Sequence, residues 1–288
     1  MLADKVCVMI DLNLLARSYF WFDKPVPYKV DKEHEIEIKP VSVEDSEMFL
    51  SWIDIISIDK NSLPNPEYIS MSYLEFVVTT LVLSDDKKFA EENSLKMASI
   101  LKLCLGFDKQ VFIHLDEREK PYLQYEDIKI DGKHFEEIRR IILYQNIAHY
   151  DDSYINPDVK QAMDEVDALK NKDIDIPNLE RRMAIITSHC GLSKQDQLKM
   201  TYRSHTILFE EVHGEVDYMS MRTAALIGNM FSKQKNEIED WIYRKKHNKY
   251  EKYFTDVNTY QQSMGGQGHI HSKTISINDV NDYSGFIK

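Results

Sequence analysis

His189 and Cys190 are neighbours in the chain, and a thiol beside an imidazole is the pairing from which cysteine nucleophiles are made. On a helix, however, adjacent residues point about 100° apart, so the two side chains cannot readily share a proton. Cys190 also continues an apolar stripe with Leu179, Met183 and Ile186, which predicts a small core residue. His269 and His271 could grip a metal from one strand, but two ligands without a nearby carboxylate or thiolate do not complete a site. The acidic runs "DDSYINPD" and "NKDIDIP" lack the Gly-centred spacing of a calcium loop. The chain has no G-x-S-x-G, no G-x-x-x-x-G-K-[ST], no H-E-x-x-H and no G-x-G-x-x-G. The expectation is a non-enzyme without cofactor or metal, and a metal-dependent enzyme built on scattered His and Asp residues ranks well behind.

Two stretches, "ISMSYLEF" and "LKMTYRSH", repeat the order Met, hydroxyl residue, Tyr. Ser72 with Glu75 has the S-x-x-E spacing of a capping box, in which each side chain satisfies a free backbone N–H of the new helix. Thr201 has Ser204 in place of the acid, so its box is incomplete, yet Tyr202, His205, Phe209 and Val212 follow at spacings of three and four. Both stretches therefore predict helix starts.

"MAIITSHCGLSKQDQLKM" places a Gly-containing turn between two helical stretches, which suggests a helix-turn-helix over 178–205 and, as an alternative function, a DNA-associated regulator. The second stretch is short and offers only Lys194, Gln195 and Lys199 to base edges. "YRKKHNKYEK" is the one basic cluster, and Glu237, Glu239, Asp240 and Glu251 accompany it. With 36 Lys and Arg against 48 Asp and Glu, the net charge is −12, and the field of the whole chain repels nucleic acid and anionic lipid. A packed helical hairpin is the preferred reading.

These residues need elements to hold them. Ser42 and Asp45 signal a cap before Met48, Phe49, Trp52, Ile53 and Ile56, and the first hundred residues read mainly as helix. "VFIHL" and the alternation over Tyr125 to Ile130 predict a central β-hairpin near 111–130. After Asp131-Gly132, Phe135, Ile138, Ile141 and Ile142 form one helical face, with Glu136, Glu137, Arg139 and Arg140 opposite. The expected architecture is α+β and predominantly helical. A helical domain with the hairpin spans 1–150, and an acidic linker with one short helix near 158–169 spans 151–177. A helical C-terminal domain covers 178–253, with separate helices around 216–231 and 237–250, and a polar flexible tail covers 254–288.

At 288 residues and 43% hydrophobic, the chain can build a substantial core. Cys7, Cys104 and Cys190 are odd in number and widely spaced, which fits a reduced compartment. The first twenty residues carry Asp4, Lys5, Asp11 and Arg17 and do not read as a signal peptide, and no apolar run approaches a membrane span.

In order and local pattern, "IEIKPVSVEDSEMF", "ISMSYLEF", "IKIDGKHFEEIRRIILYQN", "CGLSKQDQLKMTYRSHTILFEE" and "IEDWIYRKKHNKY" resemble a family of bacteriophage tail assembly chaperones and baseplate-hub assembly proteins from phages of Gram-positive hosts. The resemblance runs to about Tyr253. It implies a role without catalysis, in the host cytoplasm during assembly or in the virion, in which helical faces dock onto other tail or baseplate proteins. Self-association remains open. On the apolar and aromatic content of the helix beginning at Ile238, the partner-binding residues are expected to be Ile238, Trp241, Ile242 and Tyr253.

Overall fold

The computed structural model describes residues 10–60, 63, 65–153, 155–172, 176–231 and 242, all within one compact unit, Met1–Arg244. A second unit, Lys245–Lys288, lies wholly outside the described residues. The fold is α+β and predominantly helical. Asp11 caps α1 (Leu12–Ser18), and a 3-10 turn, Phe20–Phe22, follows. It leads into an antiparallel hairpin of β1 (Val26–Lys29) and β2 (Glu35–Ile38). Short helices α2 (Ser46–Trp52), α3 (Asp54–Ser57), α4 (Glu67–Ser70) and α5 (Tyr73–Phe76) come next. α5 runs on as a π-helical segment, Val77–Val82, and then α6 (Lys87–Leu105) ends at Gly106. There φ is +72°, a left-handed terminus that glycine adopts without cost.

The β1–β2 hairpin is a correction to the helical reading of the first hundred residues. Val26, Tyr28, Ile36 and Ile38 are buried while the residues between them face outward, the period of a half-buried strand. The central hairpin is also more elaborate than expected. β3 (Phe112–Leu115), β4 (Pro121–Tyr125) and β5 (Ile128–Ile130) form a three-stranded antiparallel sheet, because the chain reverses at Glu126, where φ is +52°.

Asp131 caps α7 (Gly132–Asn146), whose carboxylate accepts from Lys133 N and His134 N. Phe135, Ile138, Ile141 and Ile142 are buried as the periodicity requires, but Arg139 is buried too, which corrects the expected charged face. The helix lies between α5, β2 and β5, so its far side is covered as well. The guanidinium is satisfied there by Glu136 at 2.8 and 3.1 Å and by the Ile56 carbonyl at 2.9 Å, and lies 4.1 Å from the Tyr73 ring centroid. Met48 is exposed, whereas Phe49 and Ile56 enter the core.

The chain continues as α8 (Pro157–Asn171), α9 (Leu179–Cys190), α10 (Lys194–Lys199) and α11 (Tyr202–Phe231). α11 is one 30-residue helix where two were expected, the second starting near Val216. Gly214 costs a helix interior only about 1 kcal/mol, too little to break it when the turns on both sides favour it. An extended strap over 39–44 sews the body to these helices. Lys39 N donates to the Cys104 carbonyl, Val41 N to Asn146 Oδ1, Val43 N to the Met200 carbonyl and Glu44 N to the Leu198 carbonyl. Tyr202 N returns a bond to the Val41 carbonyl.

Two hairpin turns are joined by a histidine. Asp31 follows β1, and His34 Nδ1 lies 2.8 Å from Asp31 Oδ2 while Nε2 lies 3.1 Å from Asp127 Oδ2 in the β4–β5 turn. Those hydrogen bonds, Asp31 first, raise the His34 pKa above 6.5, and the same contact pulls Asp31 down to about 2. A raised histidine contributes stability that is complete below its unfolded pKa and is lost as pH climbs through the folded one. The lowered carboxylates contribute stability that is present above their ordinary range and is lost on acidification. The strut is therefore expected to be strongest between about pH 4 and 6.5. Thermal melts of the chain and of His34→Ala should differ most in that window and converge towards pH 9, and a difference that grows with pH would contradict it.

Candidate functional site

The two Met-hydroxyl-Tyr stretches are helix starts, as expected. Ser72 Oγ accepts from Glu75 N at 3.2 Å, and Tyr73, Phe76 and Val77 behind it are buried. A Cβ added at Gly132 would stand 2.7 Å from that hydroxyl oxygen, so the start of α7 is packed directly on the cap of α5. Ser72→Ala should lower stability by about 1 kcal/mol, and Gly132→Ala by about 1 to 3 kcal/mol through overpacking. Chemical denaturation of both variants checks the pair, and a Gly132→Ala variant as stable as the parent would show that the contact yields freely.

Thr201 does more than cap. Its hydroxyl accepts from Ser204 N at 3.2 Å and donates to Asp23 Oδ1 at 2.6 Å, and the Ser204 hydroxyl donates to the same oxygen at 2.7 Å. Asp23 sits at φ 56°, a left-handed conformation that aspartate tolerates better than most residues. The preceding 3-10 turn buries Phe20 and turns Trp21 and Phe22 outward, 62% and 61% exposed. Lys24 Nζ lies 5.4 Å from the Phe22 ring centroid. Asp23 thus fixes the direction in which two adjacent aromatic rings face solvent. The sequence reading missed them, although four consecutive aromatics in "SYFWF" are more than one short turn can bury.

Behind Thr201 lies a buried polar cluster. Gln197 is fully buried, and the two protons of its Nε2 are shared among the Met183 carbonyl, Thr187 Oγ1 and the Leu192 carbonyl at 2.9 to 3.2 Å. Its Oε1 then has only acceptor capacity, so His205 Nε2, 3.2 Å away, must be the protonated nitrogen. His205 is also fully buried, Nδ1 has no hydrogen-bond partner among the described residues, and burial followed by the nearby Arg182 charge lowers the pKa. The shift favours the neutral imidazole. Burial likewise lowers the Arg203 pKa, offset in part by Asp23.

One residue falls differently from the chemical expectations. Cys190 is exposed, because α9 reaches Gly191 at φ +70° with its last turn free of the body, which corrects its assignment to the core. Cys104 is the buried thiol, and burial pushes it up to about 12, leaving it inert as a nucleophile. His189 is exposed. In the helix-turn-helix segment, α10 has 6 residues and its central Gln197 points inward, while Lys194 lies 3.9 Å from Glu180. Of the expected partner-binding residues, Ile238, Trp241 and Tyr253 lie outside the described residues, and Ile242 is exposed. His269, His271 and Cys7 lie outside them as well. Among the described residues no group of three His, Cys, Asp or Glu is placed to hold a metal ion, and no helix is long and apolar enough to cross a membrane.

The described surface also presents large apolar side chains. Besides Trp21 and Phe22, the edge strand β3 exposes Phe112, Ile113 and Leu115, and α11 exposes Val216, Met219, Leu226 and Ile227. Such faces are suited to docking. In comparisons with known proteins, no family model, no curated protein and no solved structure matches the chain.

Proposed function

We propose that the protein is a non-enzymatic assembly factor that works by docking onto other proteins, and that those partners are bacteriophage tail or baseplate proteins. The observation that carries the docking role is the Trp21–Phe22 pair, two large aromatics held outward by a turn whose last residue is anchored to α11. A tryptophan fixed before binding loses little freedom on contact, and such residues dominate interface energetics. The tail assignment rests on the resemblance in "ISMSYLEF", "CGLSKQDQLKMTYRSHTILFEE" and the other stretches named above.

The test is co-expression of the full chain with the proteins encoded beside its gene. Expected is a complex with a tail or baseplate protein that survives high salt and is lost in Trp21→Ala, a variant whose own melting temperature is unchanged because the ring is exposed. Co-purification that is indifferent to Trp21 would remove this surface from the proposal. Salt-sensitive, sequence-selective retention of duplex DNA, abolished by changing Lys194 and Lys199, would favour the regulator instead.

A further inference from the structure

α11 carries a heptad seam that is only half used among the described residues. Tyr202, His205, Phe209, Val212, Val216, Met219, Thr223 and Leu226 recur at alternating spacings of three and four, the a and d positions of a coiled coil. The first half is spent on α9, which packs against α11. Gln197 ties His205 to Met183 and Thr187, and Arg182 lies over the Phe209 ring at 5.5 Å, so α9 runs back along α11 and its first residue, Leu179, comes about one turn later. At that level the partner helix ends. His205 is 0% exposed and Val212 5%, whereas Val216 is 40%, Met219 54% and Leu226 62%. The stripe continues along the same line with nothing described upon it.

We infer that this second half, 216–227, pairs with the same segment of a second copy of the chain, as a short parallel two-stranded coiled coil. The residue types select that occupant. β-branched Val216 and Thr223 stand at a, and Met219 and Leu226, neither branched at Cβ, stand at d, the arrangement that favours two parallel strands. The charges agree. In parallel register Glu215 faces the partner's Ser220 and Arg222 faces the partner's Ile227, so no like charges meet. The antiparallel register that uses the same four positions sets Arg222 against the partner's Arg222, a repulsive contact. Exposed Ile227, at e beside Leu226, widens the seam towards the partner. The pairing does not depend on which other protein the chain serves.

Sedimentation of the full chain should give a concentration-dependent species of twice the 33.9 kDa chain mass. Met219→Glu with Leu226→Glu should raise the dissociation constant about 100-fold or more, since each places a charge where an apolar side chain was buried. Both positions are exposed in the single chain, so its circular dichroism and melting temperature at low concentration should not change. Met221→Glu, on the outer side at f, should leave the dimer intact. With Cys7 and Cys190 changed to Ser, Thr223→Cys should form an interchain disulfide, because only parallel strands bring an a position against itself. A monomer at tens of micromolar overturns the inference, as does a dimer that tolerates the double substitution or resists the Thr223→Cys crosslink. A monomer whose 216–227 amides are protected from hydrogen exchange overturns it too, by showing that the chain's own later residues cover the stripe.

Discussion

Gln197→Leu is expected to cost about 3 to 4 kcal/mol, although leucine matches glutamine in bulk and suits a buried position. The loss comes from the groups left behind. The His205 Nε2 proton and the Met183 carbonyl each lose a partner in a buried place, whereas Thr187 is exposed and can turn to water. Gln197→Leu combined with His205→Leu should recover part of the loss, because removing both members of a buried pair costs less than orphaning one. Urea titration of the single and double variants gives the comparison. A single variant within about 1 kcal/mol of the parent would show that the cluster is slack and that α11 is mounted by apolar packing alone.

Arg139→Met should cost about 2 to 3 kcal/mol, the second largest effect. The Ile56 carbonyl loses its donor and Tyr73 loses the cation over its ring, while Glu136, 38% exposed, can turn to water. Arg139→Lys should recover less than half. A single ammonium cannot serve both carboxylate oxygens and the carbonyl in the plane that the guanidinium fork provides. Equal stability of the Lys and Arg forms in guanidinium titration would mean that charge alone matters at this position.

Legibility followed the range of the cause. Caps are local, and Ser72 and Thr201 start helices as their neighbours in sequence predict. The stop of α9 at Gly191 was visible for the same reason. The β1–β2 hairpin carried its signal in Ile36 and Ile38 alternating with Glu35 and Glu37, but it is short and flanked by Pro25 and Pro40, which obscured it. Arg139 could not be placed from periodicity, since only the packing of α5 and α7 decides that a charged face is covered. Cys190 failed in the opposite sense, an apolar stripe outrunning the body that buries it. For the proposed docking surface the local signals were present in "SYFWF" and in the heptad spacing, yet choosing them over other aromatics required knowing which rings the fold leaves outside. The expected segment from Ile238 to Tyr253 lies outside the described residues apart from Ile242.

The clamp between Asp23 and Thr201 joins residues 178 positions apart, and its companion to Ser204 spans 181. During synthesis, at roughly 5 to 20 residues per second, Thr201 is made on the order of ten to thirty seconds after Asp23. For that interval the nascent chain carries Trp21 and Phe22 on a turn whose last residue lacks its hydroxyl donors, and the strap over 39–44 lacks its bonds to Leu198 and Met200. The aromatic pair acquires its fixed direction only when the chain is some two-thirds translated. Emergence of residues 201–204 from the ribosome thus sets the earliest moment at which the proposed docking surface is complete, and a polypeptide arrested before residue 201 would offer those two rings without that orientation.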